Sequence, residues 1–218
     1  MLFLGAHRCL GQGSFINLDF ERANLSAYGA GPAVVPATNG IPSWTPVSIL
    51  GTDRVLYNDV FLGAAGVSVF GIDGPFSVID GAFSVQLYGG GGTPTGASIS
   101  QTSLVPVDAN SILFKAQGTG SLGGPLLVSL GGENVPFSVI STTPDYTAYG
   151  GDVSAFAGQT AQLTFTAPPG VNNYWTLDDI QFSSSSIPEP SSFSLSAIGA
   201  LLLGWRALRR PAQRTAQR

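Results

Sequence analysis

Ala82-Phe83-Ser84-Val85-Gln86-Leu87-Tyr88 is the stretch that decides the fold. Phe83, Val85 and Leu87 alternate with Ser84, Gln86 and Tyr88, and a period of two places the three apolar side chains on one face of an extended strand. Working outward, residues 14–21 alternate the same way, with Ile16, Leu18 and Phe20 opposite Asn17, Asp19 and Glu21. So do residues 161–166, with Ala161, Leu163 and Phe165 facing in. Short apolar runs over 55–61, 67–72, 98–104, 111–116, 126–130, 135–140 and 174–182 bring the set to about ten strands. Gly89-Gly90-Gly91-Gly92, Gly123-Gly124-Pro125 and a hairpin turn at Gly131-Gly132 separate them. Only residues 153–157, ahead of Gly158, read as a helical turn, and no segment repeats. Many short strands without a long helical pattern mean an all-β sandwich or barrel.

Composition agrees with a packed body. Hydrophobic residues make up 44 % of the 218, whereas charged residues reach only 10 % against the roughly 25 % of an average soluble domain. Disorder needs the opposite balance, so it is excluded for most of the length. Charge is also unevenly spread. Residues 14–186 carry Arg22, Arg54 and Lys115 against twelve acids, a net of −9, and residues 187–218 carry a net of +4. A body this acidic offers no footprint for a phosphate backbone, which excludes nucleic acid as its partner. His7, Cys9 and Met1 are the only residues of their types, so 14–186 hold neither imidazole nor thiol. Disulfides, Cys/His zinc sites and Ser-His or Cys-His nucleophiles are impossible there.

The C-terminal stretch reads differently. Ser183-Ser184-Ser185-Ser186 reads as a flexible polar spacer, and Ile187-Pro188-Glu189-Pro190 denies the chain a helix. Residues 191–205 then run fifteen positions without a charge, until Arg206, Arg209 and Arg210 end the run. As a helix this segment is about 22 Å long, short of the ~30 Å hydrocarbon core unless arginines snorkel and the bilayer thins. The positive-inside rule keeps those arginines cytoplasmic and the acidic body outside.

The Pro188-Glu189-Pro190 motif, the short apolar helix and the basic cluster together resemble the PEP-CTERM sorting tail of exported proteins of Gram-negative bacteria that make extracellular polysaccharide. The resemblance covers about 32 residues. It implies recognition near Pro188, Glu189 and Pro190 by an exosortase, a transpeptidase-like membrane protein, with Arg206, Arg209 and Arg210 as the cytoplasmic anchor. Ile187 stands where family tails usually have Val, and residues 211–218 extend the end. An exported chain needs an N-terminal signal. Residues 1–6 are apolar but fall short of the about 7–15 residues of a signal core. Gly11 and Gly13 suit cleavage before Ser14, so 1–13 are expected to be a signal remnant.

Within the body, three groups of residues resemble the galactose-binding-like jelly rolls that include many carbohydrate-binding modules. These are Asn17-Leu18-Asp19-Phe20-Glu21 followed by Ile41-Pro42-Ser43-Trp44, residues 152–159 with 163–165, and the closing strand 174–182. The resemblance implies that the first and last strands lie together and hold a structural Ca²⁺, for which Glu21 and Asp178 or Asp179 are the matching carboxylates. Two acids can anchor such an ion, because Ca²⁺ also accepts backbone carbonyls. The closing strand has a mixed phase, with Trp175 and Leu177 on one face and Ile180 and Phe182 on the other, so which Asp faces Glu21 stays open. Sugar binding would use exposed rings near turns, and Trp44, Tyr88, Tyr146, Tyr149 and Tyr174 are the candidates. A glycosidase needs two carboxyls about 5–9.5 Å apart across a cleft, and no such pair stands out.

The expected organisation is therefore a signal remnant (1–13), a jelly-roll β-sandwich (14–182), a Ser/Pro linker (183–190), a transmembrane-type helix (191–205) and a basic tail (206–218). The expected role is a non-enzymatic structural or interaction protein, exported to the cell surface or beyond. The alternative is a module that binds extracellular polysaccharide.

Overall fold

A computed structural model of the chain describes residues 13–92, 95–118 and 124–187. The sorting motif, the apolar run, the arginine cluster and nearly all of the signal remnant lie outside the described residues. Among the described residues, no helix is long and apolar enough to cross a membrane.

The strands are β1 (Ala33–Pro36), β2 (Thr45–Val47), β3 (Arg54–Tyr57), β4 (Gly66–Gly71), β5 (Phe83–Tyr88), β6 (Ala97–Leu104), β7 (Ser111–Gly118), β8 (Leu127–Leu130), β9 (Glu133–Asn134), β10 (Phe137–Thr142), β11 (Thr147–Asp152), β12 (Thr160–Ala167) and β13 (Tyr174–Ser183). They form an eight-stranded sheet in the order β1-β3-β4-β5-β13-β7-β11-β10 and a five-stranded sheet in the order β2-β6-β12-β8-β9. The β3–β4 pair runs parallel and the other pairs antiparallel. The two sheets share one apolar core, in which Val85, Leu87, Phe114 and Leu177 of the larger meet Ile99, Val128, Leu163 and Phe165 of the smaller. Phe114 and Phe165 touch edge to face at 5.3 Å between centroids. This is the β-sandwich that the alternating sequence predicts. The expected helical turn is a 3₁₀ turn at Ser154–Phe156, and Gly131-Gly132 join β8 to β9 with both residues at positive φ, as a tight two-residue hairpin requires.

Three expectations need correction. Residues 14–21 do not form a strand. Asn17 and Phe20 take left-handed φ values of 56° and 58°, and the residues turned inward are Phe15, Asn17, Leu18 and Phe20 while Ile16 is exposed. The segment is a tied-down loop: the Gln101 amide accepts from Ile16 N–H and donates to Ile16 C=O, and Ile180 N–H donates to Leu18 C=O. Secondly, the mixed phase of β13 is resolved by a β-bulge. Its register against β7 shifts between Asp178 and Gln181, and Asp179 sits at φ 45°. One extra residue resets the alternation, so Trp175, Leu177, Ile180 and Phe182 are all buried. Thirdly, the serine spacer is not loose over its first residues. Asn110 Nδ2 donates to Ser184 C=O at 2.6 Å and Ser111 Oγ to Ser185 C=O at 2.7 Å.

Candidate functional site

The outer face of the larger sheet, away from the core, carries the features of interest. In β7, Ile112, Phe114 and Ala116 point into the core, which leaves Leu113 and Lys115 on the outside. In β5, Ser84, Gln86 and Tyr88 are the outward set, and in β13 their neighbours are Tyr174, Thr176 and Asp178.

At one end of this face Tyr88 and Tyr174 are direct cross-strand partners, a placement that brings side chains within contact range on one surface. The next outward pair is Gln86 and Thr176, joined by a hydrogen bond from Gln86 Nε2 to Thr176 Oγ1 at 3.3 Å. Phe76, stacked on Phe70 at 4.4 Å, comes from the segment between β4 and β5 and forms one wall. Val60, Phe61, Leu62 and Asn172 complete a groove of about 240 Å³. Tyr174 is 37 % exposed and Leu62 is 92 % exposed. A ring pair beside amide groups in an open, mostly apolar groove is suited to stacking on a flat, amphipathic ligand.

At the other end the carboxylates gather. Asp19, Glu21, Asp80, Asp178 and Asp179 line one cavity of about 220 Å³, so the opening and closing segments do bring Glu21 and both aspartates to one place. Most of their oxygens are engaged. Glu21 Oε1 accepts the N–H groups of Ala82 and Phe83 at 2.8 and 3.0 Å. Asp178, only 1 % exposed, accepts from Ser84 Oγ at 2.6 Å, Asp80 N–H at 3.2 Å and Asp179 N–H at 2.7 Å. Lys115 Nζ bridges Asp80 at 2.5 Å and Asp179 at 2.9 Å and lies 5.2 Å from the centre of the Tyr146 ring.

The titration behaviour follows from these contacts. Burial pushes the Asp178 carboxyl up to about 7, against the three hydrogen bonds that favour its ionised form. Burial pulls Lys115 down, but the hydrogen bonds to Asp80 and Asp179 outweigh it and hold the ammonium above the ordinary lysine value. The bond to Lys115, helped by Gly81 N–H, holds Asp80 below the usual carboxylate range. A calcium ion needs six to eight oxygen ligands. Here the acids already hold N–H groups, a hydroxyl and an ammonium, and among the described residues no group of three or more acids, histidines or cysteines is placed to hold a metal ion. With Lys115 in place, the oxygens bonded to it and to the N–H groups do not fit calcium.

Of the five aromatic candidates, the structure sets Tyr88 and Tyr174 in one groove and Tyr146 over Lys115 on the same sheet. Trp44 is 4 % exposed and belongs to the core, where its indole N–H donates to Asn17 C=O at 2.8 Å and its ring meets Phe20 and Phe165. Tyr149 pairs with Phe114 across β11 and β7, stacks on it at 5.4 Å and also touches Phe137 and Trp175. Trp44 is thus a core residue, whereas Tyr149 is half-buried against its aromatic neighbours. Sequence reasoning missed Gln86, whose signal was its shared phase with Tyr88. It also missed Lys115, the only lysine in the chain and the outward residue of an otherwise apolar strand.

No family model matches the sequence, and no curated protein matches it. Among solved structures the chain is similar to a family 11 carbohydrate-binding module from Clostridium thermocellum in complex with a β-1,3-1,4-mixed-linked tetrasaccharide, at 12 % identity and a TM-score of 0.34, over 71 % of this chain and 96 % of that one. It is similar also to the family 11 module of a cellulosomal cellulase of Clostridium thermocellum, at 12 % identity and a TM-score of 0.33, over 74 % and 99 % of the two chains. A likeness this remote assigns neither ligand nor activity.

Proposed function

We propose that the sandwich is a glycan-binding module of an exported protein, with the groove between Tyr88 and Tyr174 as its binding surface. The observation that carries this reading is the cross-strand pairing of the two tyrosines beside Gln86 in one open groove. A tyrosine ring offers its face to the C–H side of a pyranose and its hydroxyl to a sugar hydroxyl or water. The Gln86 amide adds directional hydrogen bonding next to the rings. An open groove on a sheet accepts an internal stretch of a long polymer without having to enclose an end.

The residues of the C-terminal stretch support the second half of the proposal. Pro188-Glu189-Pro190, the apolar run and the arginine cluster resemble the parts of a sorting tail, which would bring the sandwich to a polysaccharide layer. In a purely structural role for the body, the exposed rings would have no ligand to meet.

The test is affinity electrophoresis of residues 14–187 through gels containing a panel of soluble bacterial and plant polysaccharides. Retardation by at least one polysaccharide is expected, and it should be lost in Tyr88→Ala and Tyr174→Ala. Equal mobility of the unmodified chain in every gel counts against glycan binding and leaves the structural role.

A further inference from the structure

We infer that Lys115 is the chain's own replacement for a bound cation: its ammonium joins the carboxylates at the meeting point of the opening and closing segments and makes a metal ion there unnecessary. The inference does not depend on glycan binding, because it concerns the far end of the sheet. Lys115 is the counter-charge of Asp80 and Asp179 at a cavity of about 220 Å³ that Asp19, Glu21 and Asp178 also line. The pair sits at the junction where Leu18 accepts from Ile180 and Glu21 caps the start of β5, so its loss should weaken that junction.

The position of Lys115 follows from register. It lies opposite Asp178 on the neighbouring strand, at the residue where the bulge begins. The bulge puts Asp179 within 2.9 Å of Nζ, and the segment before β5 brings Asp80 to 2.5 Å from the other side. The lysine side chain is 19 % exposed and its Asp179 partner 27 %, so that pair is only partly screened by water, whereas Asp80 is 58 % exposed and contributes less. Arg22 lines the adjoining cavity with Asp19 and Asp179, but no ion pair joins it to either among the described residues. Lys115 is thus the cation bonded to this cluster. Asp80 and Asp179 are the two carboxylates it holds.

Thermal unfolding of the unmodified chain and of Lys115→Met, each in EDTA and in millimolar CaCl2, tests the inference. The unmodified chain should melt at one temperature in both buffers. Lys115→Met should melt roughly 5 °C lower in EDTA and recover part of that loss in CaCl2, once the freed carboxylates accept a metal in place of the ammonium. A calcium-dependent rise in the unmodified chain overturns the inference. So does a Lys115→Met variant whose melting temperature equals that of the unmodified chain, or whose loss is untouched by CaCl2; the second result makes Lys115 an ordinary ion pair. Should Lys115→Met fail to fold in EDTA, Asp80→Asn serves instead, since it removes one arm of the bridge at the surface. It should melt lower than the unmodified chain, and an unchanged melting temperature again overturns the inference.

Discussion

The two ends of the outer face of β13 are built from the same strand and differ in how their polar groups are satisfied. Around Tyr174 the pairing with β5 is regular, and the side chains present rings and an amide to solvent. Around Asp178 and Asp179 the strand bulges, and each carboxylate bonds a backbone N–H, a hydroxyl or Lys115. The difference separates two kinds of polar surface. One is left open, as a binding surface must be, while the other is closed on itself, as a structural joint must be. The surface proposed to bind glycan lies at the open end, and the Lys115 bridge at the closed one.

The sharpest way to break this comparison is to exchange an aromatic that serves the fold for one that serves the groove. Trp44→Ala empties a packed core position and orphans the Asn17 carbonyl, so it should cost about 3–5 kcal/mol in denaturant unfolding. Tyr88→Ala at the open end should leave the unfolding midpoint nearly unchanged. Comparable losses in the two variants would show that the groove tyrosine is also a packing residue.

The second effect is a pH dependence confined to the closed end. The carboxyl of Asp178 stands near 3.9 in the unfolded chain and at about 7 in the folded one. Between these values the folded protein keeps a proton that the unfolded chain has lost. Its contribution is complete below pH ~4, is lost as pH rises to about 7, and amounts to on the order of 4 kcal/mol in an enclosed site. Asp80 is shifted the opposite way, so its stabilising effect is lost only below the ordinary carboxylate range. Urea titrations across this window should show stability falling with pH, and Asp178→Asn should flatten the slope. A stability that rises from pH 4 to 7 would mean that the three hydrogen bonds outweigh burial at Asp178.

The smallest effect concerns the exit of the chain from the sandwich. A Cβ on Gly150 would run into Ile187, Leu113 and Ile140. Gly150→Ala should displace Ile187 from the sheet at a cost of about 1 kcal/mol. Limited proteolysis should then cut residues 184–187 faster in the variant than in the unmodified chain; equal rates would mean that the segment is held by the Asn110 and Ser111 hydrogen bonds alone.

The contrast between the ends also explains what was legible in the sequence. Strands such as β5 and β12 declare themselves because one face is core and the other water, so composition alternates. β1 and β2 escaped because Pro36 and Pro46 interrupt them, and both lie at sheet edges, where a missing N–H is tolerated. β11 escaped because Gly150 and Gly151 give it no alternation to read. The opening residues 14–21 alternate without being a strand, since the Asn17 side chain turns inward, donating to Pro42 C=O and accepting from Arg22 N–H, rather than outward to water. The tyrosine pair was half legible: Tyr88 follows from phase, but its partnership with Tyr174 requires the register of strands 86 residues apart. Which acids meet Lys115 depends on a bulge that adjacent aspartates alone do not reveal.

The most direct test of the central claim is titration calorimetry of the sandwich with whichever polysaccharide retards it, comparing the unmodified chain with Tyr88→Ala and Tyr174→Ala. The account predicts at least a tenfold loss of affinity in each variant, about 1.4 kcal/mol, at unchanged melting temperature. Undiminished affinity in both variants would contradict it and place the binding surface elsewhere on the sandwich.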